Sequence, residues 1–278
     1  MKILIITSSL PPSGGAEQLA WELALSLAKN HSVSVITFAD TESVRKINNV
    51  EVFSLKNVKH NLWYYMTFGR LKILKLINLI NPDVVNSHMH NIITFVLRFY
   101  DAKKILTLHN SKFEFYNYNI IQKFKFNLIN LKSLNRYEIT TVSIHMQDYF
   151  TRKFNKNIFQ IPNGINSKVF YFDNKIKVVK KSILYVGRLV DFKGVKNILE
   201  ASKKLYDFHF TFIGAGPLLN SIQSNNVTFL GQKKSSELPY FYNSAFISIF
   251  ASEYENYPLV GLEAMACGLP ILLSKIPA

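Results

Sequence analysis

The amino-terminal stretch decides the fold class: Met1-Lys2-Ile3-Leu4-Ile5-Ile6-Thr7 leads through Ser8-Ser9-Leu10-Pro11-Pro12-Ser13 into Gly14-Gly15-Ala16-Glu17. A short apolar run that ends in a glycine loop and then opens a helical segment is typical of a buried strand in an α/β protein. The run is too short for a signal peptide, and it has no cleavage site of small residues. The stretch therefore predicts a parallel sheet with helices on its faces.

Strand and helix patterns alternate along the rest of the chain, which predicts two Rossmann-like parallel-sheet domains, 1–172 and 173–278. Predicted strands lie near Lys2–Thr7, Val33–Phe38, Asp83–Ser87, Lys103–His109, Glu138–Ser143, Asn157–Ile161, Ser182–Val186, His209–Ile213, Val227–Leu230, Ala245–Phe250 and Ile271–Leu273. Predicted helices are Ala16–Lys29, Leu62–Ile80, Asn91–Tyr100, Ile120–Asn135, Ile144–Phe154, Val195–Leu205, Leu218–Gln223, Ser236–Asn243 and Leu259–Cys267. The polar segment Asn166–Lys181 is interpreted as a linker. Two such domains facing each other would form a cleft, and parallel sheets bind ligands at the carboxyl ends of their strands.

Composition excludes several classes of protein. Apolar residues make up 48% of the chain, too many for a disordered polymer, and the single cysteine, Cys267, excludes a disulfide framework or a multi-cysteine zinc site. Lysine and arginine number 33 against 18 acidic residues, a net charge of +15. This charge fits nucleic acid, an anionic membrane surface or anionic small molecules, and equally a generally basic surface. Without a recognition motif, nucleic acid is not expected as a partner.

Two stretches combine aromatic and basic side chains, Asn61–Lys75 and Lys112–Lys132. Helices of this composition can lie on anionic lipid headgroups. They can equally be helices that face a core and leave their lysines in water. No stretch has the length of uninterrupted apolar sequence that a membrane span needs.

A second glycine loop follows the predicted strand Ser182–Val186. Gly187 is the first loop residue, and Arg188 and Lys193 follow before Gly194. Two cations at the carboxyl end of a strand suit a diphosphate, because an arginine guanidinium can bind phosphate oxygens with two parallel N–H groups and a lysine adds a compact positive charge. The alternative is two solvated loop cations. Gly214, Gly216 and Gly231 lie at the ends of two later strands.

Two carboxylates and three histidines complete the candidate residues. Glu255 precedes a helix, and Glu263 lies within it among small apolar residues, where a buried carboxylate would need a polar partner such as a sugar or ribose hydroxyl. Both carboxylates can otherwise be solvent-exposed. His109 ends a predicted strand, which places it well for a ligand. His88 and His90 have no third ligand nearby, so no metal site is predicted.

Taken together, these segments resemble family 4 of the retaining glycosyltransferases, which have the GT-B fold. The resemblance is carried by Gly14-Gly15-Ala16-Glu17, His109, Pro162-Asn163-Gly164, Gly187-Arg188-Leu189 with Lys193-Gly194, Gly214-Ala215-Gly216-Pro217, and Glu255 with Glu263-Ala264-Met265-Ala266-Cys267-Gly268-Leu269-Pro270. It implies transfer of a sugar from a nucleotide-sugar donor with retention of anomeric configuration and without a metal or other cofactor.

The resemblance also implies residue roles. Arg188 and Lys193 neutralise the departing diphosphate. Glu255 contacts the donor sugar, and His109 lies near the transferred sugar. Further contacts to the donor are implied for Gly15, Gly187, Gly214, Gly216, Leu259, Val260 and Glu263, with the amides of Leu259 and Val260 helping to bind the diphosphate and Glu263 holding the ribose. The loops around Pro217 and Gly231 would determine which nucleotide base is bound, and a UDP-sugar is the expected donor.

The resemblance also has departures and alternatives. Asn256 and Pro258 stand where glycines are common in the family, and members continue beyond Pro270, so the second domain is expected to be truncated. The expected reaction uses a glycan or lipid-linked acceptor of a bacterial surface polysaccharide, in the cytoplasm at the inner face of the membrane. Alternatives are a non-catalytic remnant or interaction subunit of a glycan-assembly complex, and a nucleotide-sugar epimerase.

Overall fold

The computed structural model describes residues 1–12, 14–56, 68–88, 96–97, 100–109, 134–221 and 225–276. The chain divides into two compact units, Met1–Pro162 and Asn163–Ala278. The basic-aromatic stretch Lys112–Lys132, His90, and most of the helices predicted at Asn91–Tyr100 and Ile120–Asn135 lie outside the described residues, as does the first part of the stretch Asn61–Lys75.

The first unit contains a sheet of eight described strands. Its strands are β1 (Lys2–Ile6), β2 (Ser32–Ala39), β3 (Ser43–Ile47), β4 (Val50–Lys56), β5 (Val84–Ser87), β6 (Lys103–Leu108), β7 (Glu138–Thr141) and β8 (Phe159–Gln160), and its helices are α1 (Gly15–Leu27), α2 (Phe68–Ile80) and α3 (Ile144–Phe154). The strand order is β3-β4-β2-β1-β5-β6-β7-β8. Strand β1 pairs in parallel with both β2 and β5, and Ile5 and Ile6 are fully buried there. The amino-terminal run is thus a central strand covered on both faces.

The edge of this sheet departs from the predicted parallel pattern. Strands β3 and β4 form an antiparallel hairpin in which Ile47 lies opposite Val50. The two turn residues, Asn48 and Asn49, both have positive φ, 47° and 66°. Such a pair is typical of a two-residue hairpin whose twist matches its strands, and asparagine tolerates this conformation better than most residues.

The second unit contains a sheet of five described strands, all parallel. Its strands are β9 (Ser182–Val186), β10 (His209–Ile213), β11 (Val227–Phe229), β12 (Ile247–Phe250) and β13 (Ile271–Leu273), in the order β11-β10-β9-β12-β13. The α-helices are α4 (Val195–Lys204), α5 (Leu238–Ser244) and α6 (Leu259–Ala266), and 3-10 turns cover Asp191–Lys193 and Pro217–Ser221. The helix predicted at Leu218–Gln223 is therefore a 3-10 turn where it is described.

The interpretation of Asn166–Lys181 as a linker is wrong, because this segment packs onto the second unit. Phe170 is buried in that unit's core beside Tyr242. The backbone N–H of Asp173 donates to Oδ1 of Asn243 at 2.8 Å, and that of Val179 donates to the carbonyl of Ser244. The structure consequently divides the chain after Pro162, earlier than the predicted division between 172 and 173.

No helix in the described part of the chain combines the length and the apolar character that crossing a bilayer requires.

Candidate active site

Strand order brings the candidate loops of the second unit together. Strand β9 lies between β10 and β12. The strands that follow β9 directly in the chain, β10 and β11, lie on one side of it, and the later strands β12 and β13 lie on the other. Ligands of parallel sheets bind at the carboxyl edge beside such a switch in strand order. The loop after β9 carries Arg188 and Lys193, and the loop after β12 carries Glu255. Residues distant in sequence therefore meet at this edge.

An ion pair joins two of the predicted residues. Nζ of Lys193 contacts Oε1 of Glu255, and both side chains are less than one-fifth exposed. The hydroxyl of Ser252 donates to the same carboxylate oxygen at 2.8 Å. Glu255 thus accepts from a cation and a hydroxyl at once, which holds its carboxylate in one place.

The aromatic ring of Phe192 lies close to both predicted cations, Arg188 and Lys193. The guanidinium carbon of Arg188 lies 5.4 Å from the ring centre, and Nζ of Lys193 lies 5.8 Å from it. Both distances are within the range of cation–π attraction. The hydroxyl of Tyr185 donates to the carbonyl of Arg188 at 2.7 Å, which fixes the loop backbone below these side chains. Two cations therefore lie close together at the carboxyl end of β9, and one of them is paired with Glu255.

Glycines at this edge allow backbones to touch. Gly194 has φ +68°, and a Cβ there would overlap the carbonyl oxygen of Ala251. A Cβ on Gly214 would likewise overlap the carbonyl oxygen of Gly187, and one on Gly216 that of Leu189. The predicted glycines Gly187, Gly214 and Gly216 therefore belong to one packed set of loops.

Helix α6 starts at the same edge. Leu259 and Val260 are its first two residues, after Pro258 at the N-cap. Backbone N–H groups in the first turn of a helix have no acceptor within the helix and point along its axis, which favours an anion there. Both predicted amides lie in this first turn. Asn163, of the predicted Pro162-Asn163-Gly164 motif, donates from Nδ2 to the carbonyl of Tyr257 at 3.4 Å, just before this helix.

Glu263 is buried on α6, and its partner is a residue that the sequence analysis did not identify. The hydroxyl of Tyr242 donates to Oε2 of Glu263 at 2.9 Å. Burial raises the pKa of Glu263 above its ordinary value, and the hydrogen bond from Tyr242 lowers it in part. Burial, followed by the neighbouring Glu263 charge, raises the pKa of Tyr242 well above its ordinary value, so this tyrosine stays a neutral donor.

The first unit has its own switch in strand order, between β1 and β5, and the remaining candidates lie there. Gly14 precedes α1 as its N-cap, with Gly15 as the first helical residue. The hydroxyl of Ser8 hydrogen-bonds to Oε1 of Glu17 on that helix. His109 follows β6, and its Nε2 lies 2.8 Å from Nδ1 of His88, which follows β5.

The two histidines are neutral at physiological pH. Burial, with the neighbouring His109, lowers the pKa of His88 to about 3. Burial lowers the pKa of His109 to about 4, with Glu17 acting in the opposite direction. The described residues contain no cluster of three or more histidine, cysteine or acidic side chains that would hold a metal.

Sequence reasoning missed four residues that shape these sites: His88 as a partner of His109, Tyr242, Ser252 and Phe192. The available signals were weak. Ser252 and Phe192 lie close in sequence to predicted residues, but Tyr242 and Glu263 meet only because α5 and α6 pack together. A contact between two helices leaves no spacing pattern in the sequence.

Both halves of the chain match glycosyltransferase families. Residues 13–169 match the family described as Glycosyltransferase Family 4, and residues 167–278 match Glycosyl transferases group 1. An uncharacterized glycosyltransferase of Methanocaldococcus jannaschii is 26% identical, covering 99% of this chain and 81% of that protein. The O-antigen chain mannosyltransferase RfbU of Salmonella typhimurium is 26% identical, covering 78% of this chain and 62% of that protein.

Solved structures share the fold. The crystal structure of Anabaena HepE in complex with UDP and glucose aligns with a TM-score of 0.73 and 18% identity, covering 99% of this chain and 81% of that one. The predicted α/β architecture, with two Rossmann-like parallel-sheet domains of the GT-B type, is confirmed.

Proposed function

Because the chain belongs to the glycosyltransferases, with a Glycosyltransferase Family 4 domain followed by a group 1 domain, we propose that it moves a hexose from a nucleotide-sugar donor to a hydroxyl group. The donor in this proposal is a UDP-sugar, supported by the UDP bound in HepE. The acceptor is a bacterial surface glycan or a lipid-linked precursor of one, supported by the likeness to an O-antigen mannosyltransferase.

The observation that carries the proposal is the arrangement around Lys193. Arg188 and Lys193 lie on one aromatic ring, and Glu255 contacts Lys193 from the neighbouring loop. A diphosphate needs cations of this kind, and a donor sugar needs a fixed carboxylate beside them. The described residues bring both together at the edge where parallel sheets bind ligands.

In the proposed mechanism, negative charge develops on the diphosphate as the bond to the sugar breaks. Arg188 and Lys193 stabilise that charge, and the first amides of α6 add to it. The amides are fixed by the helix before the reaction, whereas Lys193 has to turn from Glu255 toward the diphosphate. We therefore propose that transfer needs no metal ion, since the two cations supply the charge that a metal would otherwise provide.

The remaining roles follow the family resemblance. Glu263 accepts from the ribose hydroxyls, and Glu255 accepts from a hydroxyl of the donor sugar. Gly15 lets the backbone approach the diphosphate, and His109 hydrogen-bonds the transferred sugar or the developing charge. The acceptor hydroxyl attacks from the face that the leaving group vacates, and its proton passes to the departing phosphate oxygen as the bond to the sugar breaks. This route gives retention, so Glu255 is a binding group and not a nucleophile.

Nucleotide binding tests this proposal directly. We would measure the melting temperature of the full chain with UDP, GDP and ADP, and then the dissociation constant of the nucleotide that stabilises it. A ligand at about 100 times its dissociation constant adds about 2.7 kcal/mol to the free energy of unfolding. We expect this shift with UDP, and release of UDP from UDP-hexoses that persists when EDTA is present.

Lys196 offers a matched control for Lys193. Its side chain is 65% exposed and pairs with Asp191 at 2.6 Å, near the same loop but outside the Lys193–Glu255 pair. Lys193→Ala should weaken UDP binding at least tenfold, about 1.4 kcal/mol, while Lys196→Ala leaves it unchanged. Equal losses in both variants, or a folded wild-type chain that no nucleotide stabilises, would contradict the proposal.

Peripheral membrane contact is a separate part of the proposal, and it rests on the net charge of +15. We expect the protein to sediment with vesicles that contain phosphatidylglycerol but not with pure phosphatidylcholine. Binding should weaken as the salt concentration rises from about 0.01 M to above 0.1 M, because exposed charges are increasingly screened over that range. Equal binding to both vesicles would contradict an electrostatic contact. Binding to duplex or single-stranded DNA of similar strength would instead point to non-specific attraction.

A further inference from the structure

His88 is a largely buried histidine for which the proposed function has no role. It follows β5, and its backbone N–H donates to the carbonyl of Ile6 at the end of β1, at 2.9 Å. His109 follows the neighbouring strand, β6. The two strands are parallel and in register, with Ser87 opposite Leu106. Both imidazoles consequently extend from the same edge of the sheet, at the switch in strand order.

The two rings meet edge to edge. The distance between Nδ1 of His88 and Nε2 of His109 is 2.8 Å, the ring centres are 5.1 Å apart, and the planes differ by 20°. So short a nitrogen–nitrogen distance at this separation requires both nitrogens to lie near the line between the ring centres. The geometry is that of an in-plane hydrogen bond, which carries one proton between the two nitrogens.

The other nitrogen of His88 decides which ring donates. Nε2 of His88 is buried, and no hydrogen bond from a described residue reaches it. If His109 donated to Nδ1, the proton of neutral His88 would lie on Nε2 as a buried donor without an acceptor. If His88 donates from Nδ1, only a lone pair is left unsatisfied, which proteins tolerate better than an orphan N–H.

We propose that His88 is a positioning residue that donates from Nδ1 to Nε2 of His109 and thereby fixes His109 as the tautomer protonated at Nδ1. This inference rests on the proposed function for its catalytic consequence. His109 then presents an N–H donor from Nδ1 and has no lone pair left to accept a proton. It stabilises a sugar oxygen or developing negative charge by donation and is not a general base.

The charged surroundings agree with this assignment. Burial keeps both rings neutral, with pKa values of about 3 for His88 and about 4 for His109. Glu17, on α1, is the acidic group that acts on His109, and it favours the protonated ring. Its effect is smaller than that of burial, so the neutral pair persists near pH 7.

Nitrogen NMR tests the tautomer without requiring activity. We would label histidine side chains with ¹⁵N in the full chain, assign His109 by its loss in His109→Gln, and record the ring shifts at pH 7. A protonated Nδ1 and an unprotonated Nε2 of His109 support the proposal. The opposite pattern in the wild-type protein overturns it, whether or not a donor sugar is ever turned over.

Three variants test the catalytic consequence. His88→Ala should mix the tautomers of His109 and lower kcat at least tenfold, with a smaller change in the KM for the nucleotide sugar. His88→Asn, whose amide can donate from nearly the same position as Nδ1, should restore the tautomer and most of kcat. His145→Asn, at an exposed histidine, should change neither. Equal loss in the alanine and asparagine variants, with the wild-type tautomer retained, overturns the positioning role.

Discussion

Among single residues, Glu255 is held by two donors, and one of them is the lysine that we propose to bind the donor diphosphate. Glu255→Gln removes the negative charge that neutralises Lys193. We expect UDP to bind about threefold to tenfold more tightly, because the cation no longer has to leave a carboxylate partner. Turnover should fall at least tenfold, because the donor sugar loses a charged acceptor.

Isothermal titration with UDP and initial rates with the UDP-hexose separate these two effects. Ser252→Ala is the control, since it removes the hydroxyl donor at 2.8 Å but leaves both charges of the pair. A Glu255→Gln variant that loses as much UDP affinity as Lys193→Ala would show that the pair acts as one binding unit, against this expectation.

Tyr242 is the second residue whose role is set by its partner. Tyr242→Phe leaves Glu263 buried without the hydroxyl that donates to it. An unsatisfied buried group costs about 1–3 kcal/mol, so we expect the free energy of unfolding in urea to fall by that amount. Tyr240→Phe, at an exposed position of the same helix, should be neutral. A loss of the same size in both variants would assign the effect to helix α5 itself.

At the level of elements, a glycine in a loop can be required by a positive φ or by close contact with another backbone. Three glycines separate these two effects. Gly194 has positive φ and no room for a Cβ, Gly231 has positive φ of 67° but open space, and Gly164 has neither constraint. Alanine at Gly164 should be neutral or slightly stabilising. Alanine at Gly231 should cost about 1 kcal/mol from strain alone, and alanine at Gly194 clearly more than that. Equilibrium unfolding of the three variants would give this order, and equal losses at Gly194 and Gly231 would contradict a clash with Ala251.

The elements that sequence predicted best are those with a strong apolar pattern followed by a glycine-containing loop. The run Ile3–Ile6 and the strand Ser182–Val186 meet this description, and both are central strands. The outer strand β3 was missed because it is largely exposed, so it has no buried face to create an alternating pattern. Strand β4 was missed although Val50, Val52 and Ser54 are buried in alternation. The turn between β3 and β4, Asn48-Asn49, lacks the glycine that usually identifies such a hairpin.

Those residues of the candidate site that belong to a short sequence motif could be predicted from the sequence. Contacts between residues that only the folded structure brings together could not. Arg188, Lys193 and Glu255 were predicted separately, and parallel strand order explains why they meet. The pairs His88–His109 and Tyr242–Glu263 required the register of two strands and the packing of two helices. Such contacts depend on the whole unit, so no spacing along the chain could identify them.

The whole molecule should lose stability in mild acid because two of its histidines are buried in neutral form. Their folded-state pKa values, about 3 for His88 and about 4 for His109, lie below the ordinary value of 6.5. Below pH 6.5 these two histidines bind protons in the unfolded chain but remain unprotonated in the folded chain. The free energy of unfolding is therefore unaffected above pH 6.5 and falls as pH drops toward 4, by at most about 1.4 kcal/mol per pH unit for each histidine.

Urea unfolding of the full chain between pH 7.5 and 4.5 measures this slope, and variants separate it from the titration of carboxylates. His88→Asn removes one of the two buried histidines, so its stability should fall less steeply than that of the wild type below pH 6.5. His145→Asn replaces an exposed histidine and should keep the wild-type slope. Identical slopes in all three proteins would mean that the buried pair takes up its protons without unfolding, and that the neutral pair is not what makes the molecule sensitive to acid.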